Sequence, residues 1–167
     1  MKKIHKITFI SIFAAFAMVL SYVEMMLPPI WSAVPGIKVG LPNVIIIFVL
    51  YKLSFKYAAF ISLLRVFAVA LLFGNVLTLS YSIAGAVISL TLMWLLKKTS
   101  LFSMVGVSIA GGVSHNLGQI IVAMIVMQTK EIGYYMAILA VSGVLAGIVI
   151  GLIGAMLLKY TQKIKIK

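Results

Sequence analysis

Long apolar runs, broken by short polar or basic segments, set the pattern of this chain. A helix that crosses a bilayer needs about 20 mostly apolar residues. By that criterion the chain predicts six helices, at about residues 7–27, 41–53, 56–73, 76–96, 101–128 and 134–158. Pro28-Pro29 ends the first, because proline lacks the amide hydrogen and clashes with the preceding turn. A loop containing Trp31, Pro35-Gly36 and Lys38 leads to the second run, which is short for a full crossing and needs cover from its neighbours or an interfacial start. Gly74-Asn75 makes a tight turn between the third and fourth runs, and Lys97-Lys98 closes the fourth. Gly111-Gly112 is expected to interrupt the fifth, and Thr129 to Gly133 to form a polar loop before the sixth. The first run is too long for the apolar region of a typical signal peptide and no small-x-small cleavage site follows it, so it is read as a retained span.

Composition agrees with this reading. Of 167 residues, 64% are hydrophobic and only 10% charged, against about half apolar and a quarter charged in a soluble domain. The mean hydropathy is +1.25. A water-soluble fold of this length could not bury so much apolar surface, whereas lipid accepts it. The expected fold class is a single-domain, all-α integral membrane protein with six transmembrane helices, in contact with membrane lipid.

Charge gives the chain a direction. Fourteen basic residues against two acidic ones leave a net charge of +12. A basic balance can signal nucleic acid, but these residues form short clusters between apolar runs and no basic face, so no nucleic-acid partner is expected. Lys2, Lys3, Lys6, Lys52, Lys56, Lys97, Lys98, Lys159, Lys163, Lys165 and Lys167 fall on one side of a six-span topology, and only Lys38 and Lys130 on the other. Lys and Arg collect on the cytoplasmic side, so both termini are expected in the cytoplasm, at the cell membrane.

Polar residues at depth mark candidate chemistry. Arg65 lies eight residues after Tyr57, near mid-membrane at about 1.5 Å per residue. A centred arginine costs several kcal/mol unless it faces a partner, a cavity or a ligand. The fifth run carries Ser114, His115, Asn116 and Gln119 within six positions. Such groups can serve as hydrogen-bonding glue between helices, but their density favours a lined cavity. The topology puts Glu24, Lys38, Asn43 and Asn75 in the same outer half, with Arg65 as the floor. A pocket with Arg65, His115 and Lys38 as positive groups suits a small anion, with Glu24 as a counter-charge or as a receptor for an amine or hydroxyl. Small residues four apart, Ser11 with Ala15 and Ala17 with Ser21 on the first run, and Gly143, Gly147, Gly151 and Ala155 on the sixth, make grooves for a close helix neighbour.

Several functions lack their residues. Glu24 and Glu131 are the only acidic residues, so no carboxylate cluster can hold Mg2+ for prenyl or phosphoryl transfer. Two histidines and no cysteine make no zinc site, and a Ser-His-Asp triad has no acid. There is no GxxxxGK[ST] phosphate loop, no ring of like charges for a channel, and no pair of matching halves as in many secondary transporters. No enzyme activity, cofactor or metal is expected.

Three segments carry a resemblance: Pro35-Gly36-Ile37-Lys38-Val39-Gly40-Leu41-Pro42-Asn43, Phe73-Gly74-Asn75, and Ala110-Gly111-Gly112-Val113-Ser114-His115-Asn116-Leu117-Gly118-Gln119. In this order they resemble the Gx transporter family, often labelled heptaprenyl diphosphate synthase component I. That family is grouped with the substrate-binding (S) components of energy-coupling factor transporters. The chain departs from the family pattern at Pro42 and Ser114, where alanine is common. The resemblance implies a six-helix S-component bundle with a small-molecule pocket near the outer face, capped by the first, third and fifth loops. It also implies a transmembrane coupling subunit, facing Ala15 and its neighbours, and two ATPase subunits. The synthase label implies instead an accessory role in isoprenoid-quinone synthesis.

Overall fold

The computed structural model describes residues 3–26 and 40–161. Six α-helices follow one another: α1 (Lys3–Met26), α2 (Asn43–Lys52), α3 (Phe55–Phe73), α4 (Val76–Thr99), α5 (Met104–Met127) and α6 (Met136–Tyr160), with a 3-10 turn at Lys130–Tyr135 leading into α6. No strand occurs among the described residues. Five helices are long and apolar enough to cross a bilayer. α2, with ten residues, is about 15 Å long, half the hydrocarbon thickness of about 30 Å.

The short helix is tolerated because protein surrounds it. Val44 to Leu50 is an unbroken apolar run with no polar stripe, and all seven residues are buried, as expected of a helix that is hydrophobic all round. α2 packs on α1, α3 and α6, while the long helices neighbour one another in the order α1, α3, α4, α5, α6. Lysines tie its C-terminal end to its neighbours. Lys97 Nζ donates to the Leu50 carbonyl at 2.7 Å, and Lys52 Nζ reaches the Thr161 carbonyl at the end of α6 at 2.6 Å. Positive charge at a helix C-terminus also complements the helix dipole.

Contacts along the helices fix their directions. Lys6 sits over Tyr57, and Tyr22 packs on Phe73, so α1 and α3 run parallel. Phe13 stacks on Phe48 near one end, and Glu24 meets Gly40 near the other, so α2 runs antiparallel to α1. Phe55 packs on Trp94, so α4 returns against α3. One end of the bundle therefore gathers Lys6, Lys52, Lys97 and Lys98, with Lys98 Nζ 3.9 Å from the centre of the Trp94 ring. The opposite end gathers the C-termini of α1 and α3 and the N-termini of α2 and α4.

Glycines set the closest approaches. A Cβ on Gly112 would lie 2.4 Å from the Gly143 carbonyl oxygen, and one on Gly147 would lie 2.5 Å from Ile109 Cα. The backbones of α5 and α6 thus touch directly, as small residues at four-residue spacing permit in a membrane. α4 meets α5 in the same way, through Gly118 against Ala84 and Gly85 against His115. The expected break at Gly111-Gly112 does not occur: α5 is continuous, and these glycines serve packing, Gly111 making room for the Met93 side chain. The expected polar loop at Thr129–Gly133 is mostly the 3-10 turn. Outward faces are apolar, with Leu71, Val76 and Leu101 more than four-fifths exposed or close to it, while Ser21, Ser62, Ser89, Ser108 and Ser114 are buried. Small polar groups inside and large apolar groups outside suit a surface solvated by lipid.

Candidate ligand-binding site

At the end of the bundle opposite the lysines, the helices part around a cavity of about 150 Å3. α3 brings Arg65 from mid-helix, together with Val66, Val69, Ala70 and Phe73. α5 brings His115, Asn116 and Gln119, which its periodicity aligns on one side. α1 contributes Ser21, Glu24 and Met25, the entry to α2 Gly40 and Asn43, α4 Thr78 and Ser82, and α6 Gly143, Ala146 and Ile150. Every helix of the bundle takes part.

Arg65 dominates the site. It lies ten residues from the start of α3 and eight from its end, and its Nε is shielded from solvent and makes no hydrogen bond among the described residues. Leaving a buried donor unpaired costs about 1–3 kcal/mol, and more for a charged group. Glu24 occupies the same cavity and is near enough to act on Arg65 through its charge. No ion pair within 4.0 Å forms between these two residues. Glu24 Oε1 instead accepts the backbone N–H of Gly40.

Gly40 is a junction of the site. Its N–H is held by Glu24, and its carbonyl accepts from Asn43 N at 2.8 Å. Its φ of +75° is left-handed, and a Cβ there would lie 3.1 Å from Asn43 Nδ2, so glycine serves both backbone and space. His115 is half-buried and set against α4 where Gly85 leaves room: a Cβ on Gly85 would come within 2.9 Å of the imidazole Cε1. Asn116 Nδ2 donates to the Leu139 carbonyl at 2.7 Å, which leaves its Oδ1 as an acceptor at the cavity wall.

Six of the eight residues expected to bind a ligand line this cavity: Glu24, Asn43, Arg65, His115, Asn116 and Gln119. Lys38 lies outside the described residues. Asn75 does not line the cavity. It is the N-cap of α4, its Oδ1 accepting from Thr78 N at 2.9 Å while Thr78 Oγ1 accepts from Asn75 N. A capping box of this kind satisfies donors that a helix N-terminus otherwise leaves open, so Asn75 fixes Thr78, which does line the wall. Of the four small residues on α1 expected to face a partner, Ser11 and Ala15 are exposed. Ala17 and Ser21 are buried, Ser21 Oγ donating to the Ala17 carbonyl at 2.8 Å. Their small size admits close packing within the bundle instead. Residue-type reasoning missed Ser21, Gly40, Thr78 and Ser82 as wall residues. Helical spacing carried the signal, since Ser21 precedes Glu24 by three and Ser82 follows Thr78 by four.

The arrangement can bind and orient a compact molecule: it offers one guanidinium, one carboxylate, an imidazole and several amides above an apolar floor. Among the described residues no group of three His, Cys, Asp or Glu side chains comes together. The family model described as heptaprenyl diphosphate synthase component I matches residues 13–157. Comparisons with curated proteins and with solved structures return no match.

Proposed function

The chain belongs to the heptaprenyl diphosphate synthase component I family, and from the cavity within its bundle we propose that it is the substrate-binding membrane subunit of an energy-coupling factor type importer. In this reading the basic end lies in the cytoplasm with both termini, by the rule that Lys and Arg collect there. The cavity then opens to the outside of the cell membrane. The substrate is small, vitamin- or quinone-precursor-like, and carries an anionic group for Arg65. The exposed small residues Ser11 and Ala15 on α1 are the docking face for a transmembrane coupling subunit, which is energised by two ATPase subunits.

One observation carries the reading: a buried, unpartnered Arg65 Nε on the wall of a cavity that every helix helps to build. A purely structural arginine would have its donors engaged. The cavity volume of about 150 Å3 is comparable to that of a cavity that holds benzene. The family description supports a second reading, a non-catalytic accessory subunit of heptaprenyl diphosphate synthesis. The two differ in what travels with the protein. Purification into lipid nanodiscs, followed by mass spectrometry of any retained compound and any associated protein, separates them. The importer reading expects a retained small molecule that Arg65→Ala or His115→Ala abolishes. It is abandoned if a broad ligand screen finds nothing while a prenyl diphosphate synthase subunit co-purifies.

A further inference from the structure

The charges inside the cavity narrow the class of ligand, on the premise that the cavity is a binding site. Among the described residues, Arg65 and Glu24 are the basic and acidic side chains on its wall, with the imidazole of His115 beside them. They feel one another electrostatically yet do not close into an ion pair: Arg65 Nε is left without a hydrogen bond among the described residues, and Glu24 Oε1 is met by a backbone N–H of Gly40. Opposite charges in a poorly hydrated space attract strongly, and buried charges are ordinarily paired with one another. A gap held open between them is space for something that engages both. Glu24 is held by the Gly40 N–H, and Arg65 stands midway along α3.

The sum of charge matters as much as the gap. Sequence reasoning counted Arg65, His115 and Lys38 as positive groups, which suits a simple anion. Among the described residues the cavity wall also carries a carboxylate, Glu24, beside the Arg65 guanidinium and the His115 imidazole. A ligand bearing only a negative group would satisfy Arg65 while setting its charge against Glu24. A ligand bearing only a positive group would face the reverse. We infer that the cavity takes a compact zwitterion, whose carboxylate meets Arg65 and whose ammonium meets Glu24. The apolar wall of Val66, Val69 and Phe73 covers a carbon skeleton between them of about one ring in a volume of this size.

The test uses the full-length protein in nanodiscs and four ring-sized probes: 4-(aminomethyl)benzoate and phenylglycine, zwitterions with distant and adjacent charges, and benzoate and benzylamine, which carry one charge each. Binding is read by isothermal titration calorimetry. At least one zwitterion is expected to bind about tenfold or more tighter than both single-charge probes, the worth of one added charge contact. Glu24→Gln should remove that advantage over benzoate, and Arg65→Met should remove it over benzylamine. Because each variant is judged by the ratio of two probes on the same folded sample, a general loss of stability cannot mimic the result. The inference is overturned if benzoate binds as tightly as the zwitterions and Glu24→Gln leaves the ratio unchanged. It is also overturned if the protein retains through purification a compound with only one sign of charge, in which case the binding reading stands without it. If no probe binds and no compound is retained, both fall together.

Discussion

Replacing Gly147 with alanine tests the backbone contact that joins α5 and α6. A Cβ at Gly147 would lie 2.5 Å from Ile109 Cα and 2.9 Å from both Ile109 N and the Ser108 carbonyl oxygen. Carbon atoms rest at about 3.5–4.0 Å, so the helices must separate by about 1 Å. All three obstacles are backbone atoms, so no rotamer change can relieve the clash. Overpacking of this kind costs about 1–3 kcal/mol, a loss of roughly 5- to 140-fold in the folding equilibrium constant. Helix propensity works the other way, favouring alanine over glycine by about 1 kcal/mol. The sign of the effect therefore decides between the two terms. Gly106, in α5, is the control: a Cβ there meets nothing closer than Phe102 Cβ at 3.7 Å, so Gly106→Ala should be neutral or stabilising. Reversible unfolding in mixed micelles, titrated with denaturing detergent, measures both. If Gly147→Ala is as stable as the parent, or gains as much as Gly106→Ala, the direct contact of α5 and α6 backbones is refuted.

Three further outcomes follow from the same geometry. Asn75→Ala should cost about 1 kcal/mol by removing the α4 cap, yet leave ligand retention by mass spectrometry nearly unchanged; a complete loss of ligand with stability intact would make Asn75 a binding residue after all. Lys97→Met leaves the Leu50 carbonyl without its charged donor and should destabilise the bundle by about 1–3 kcal/mol in the detergent titration, whereas Lys130→Met, at an exposed position, should not. Gly85→Ala presses on the imidazole of His115 and should weaken ligand binding by about tenfold, while Gly133→Ala, which meets only Met124 Sδ at 3.4 Å, should leave it unchanged; equal binding by the two variants would remove His115 from the site.

How much of this was legible in the chain depends on the range of the forces involved. Helix number and approximate bounds follow from the length of apolar runs, because the bilayer sets one thickness for all of them. Arg65, Glu24, His115 and Gln119 stand out in sequence because each is expensive in lipid and needs a local reason to be there. The capping role of Asn75 was not legible, because an asparagine beside a glycine turn looks the same whether it binds a ligand or caps a helix. The hydrogen bonds to Thr78 N and Thr78 Oγ1 show the cap. The burial of Ala17 within the bundle was not legible, because a small residue admits a close neighbour on either side of a helix and spacing within α1 does not say which side faces the bundle.

By itself, then, the sequence determined that the protein is a helical bundle for a membrane, with most of its lysines sorted to one side of the apolar runs and its costly polar groups set apart from them. Those properties are sums along the chain, over apolar length and over charge. The tertiary structure decided that α2 can be half a membrane long, because its neighbours bury it on all sides. It decided that Gly111 and Gly112 join helices and do not break one. It also decided that Arg65 and Glu24 share one cavity without closing on each other. Those are relations between residues distant in sequence, fixed only when side chains from different helices compete for the same space.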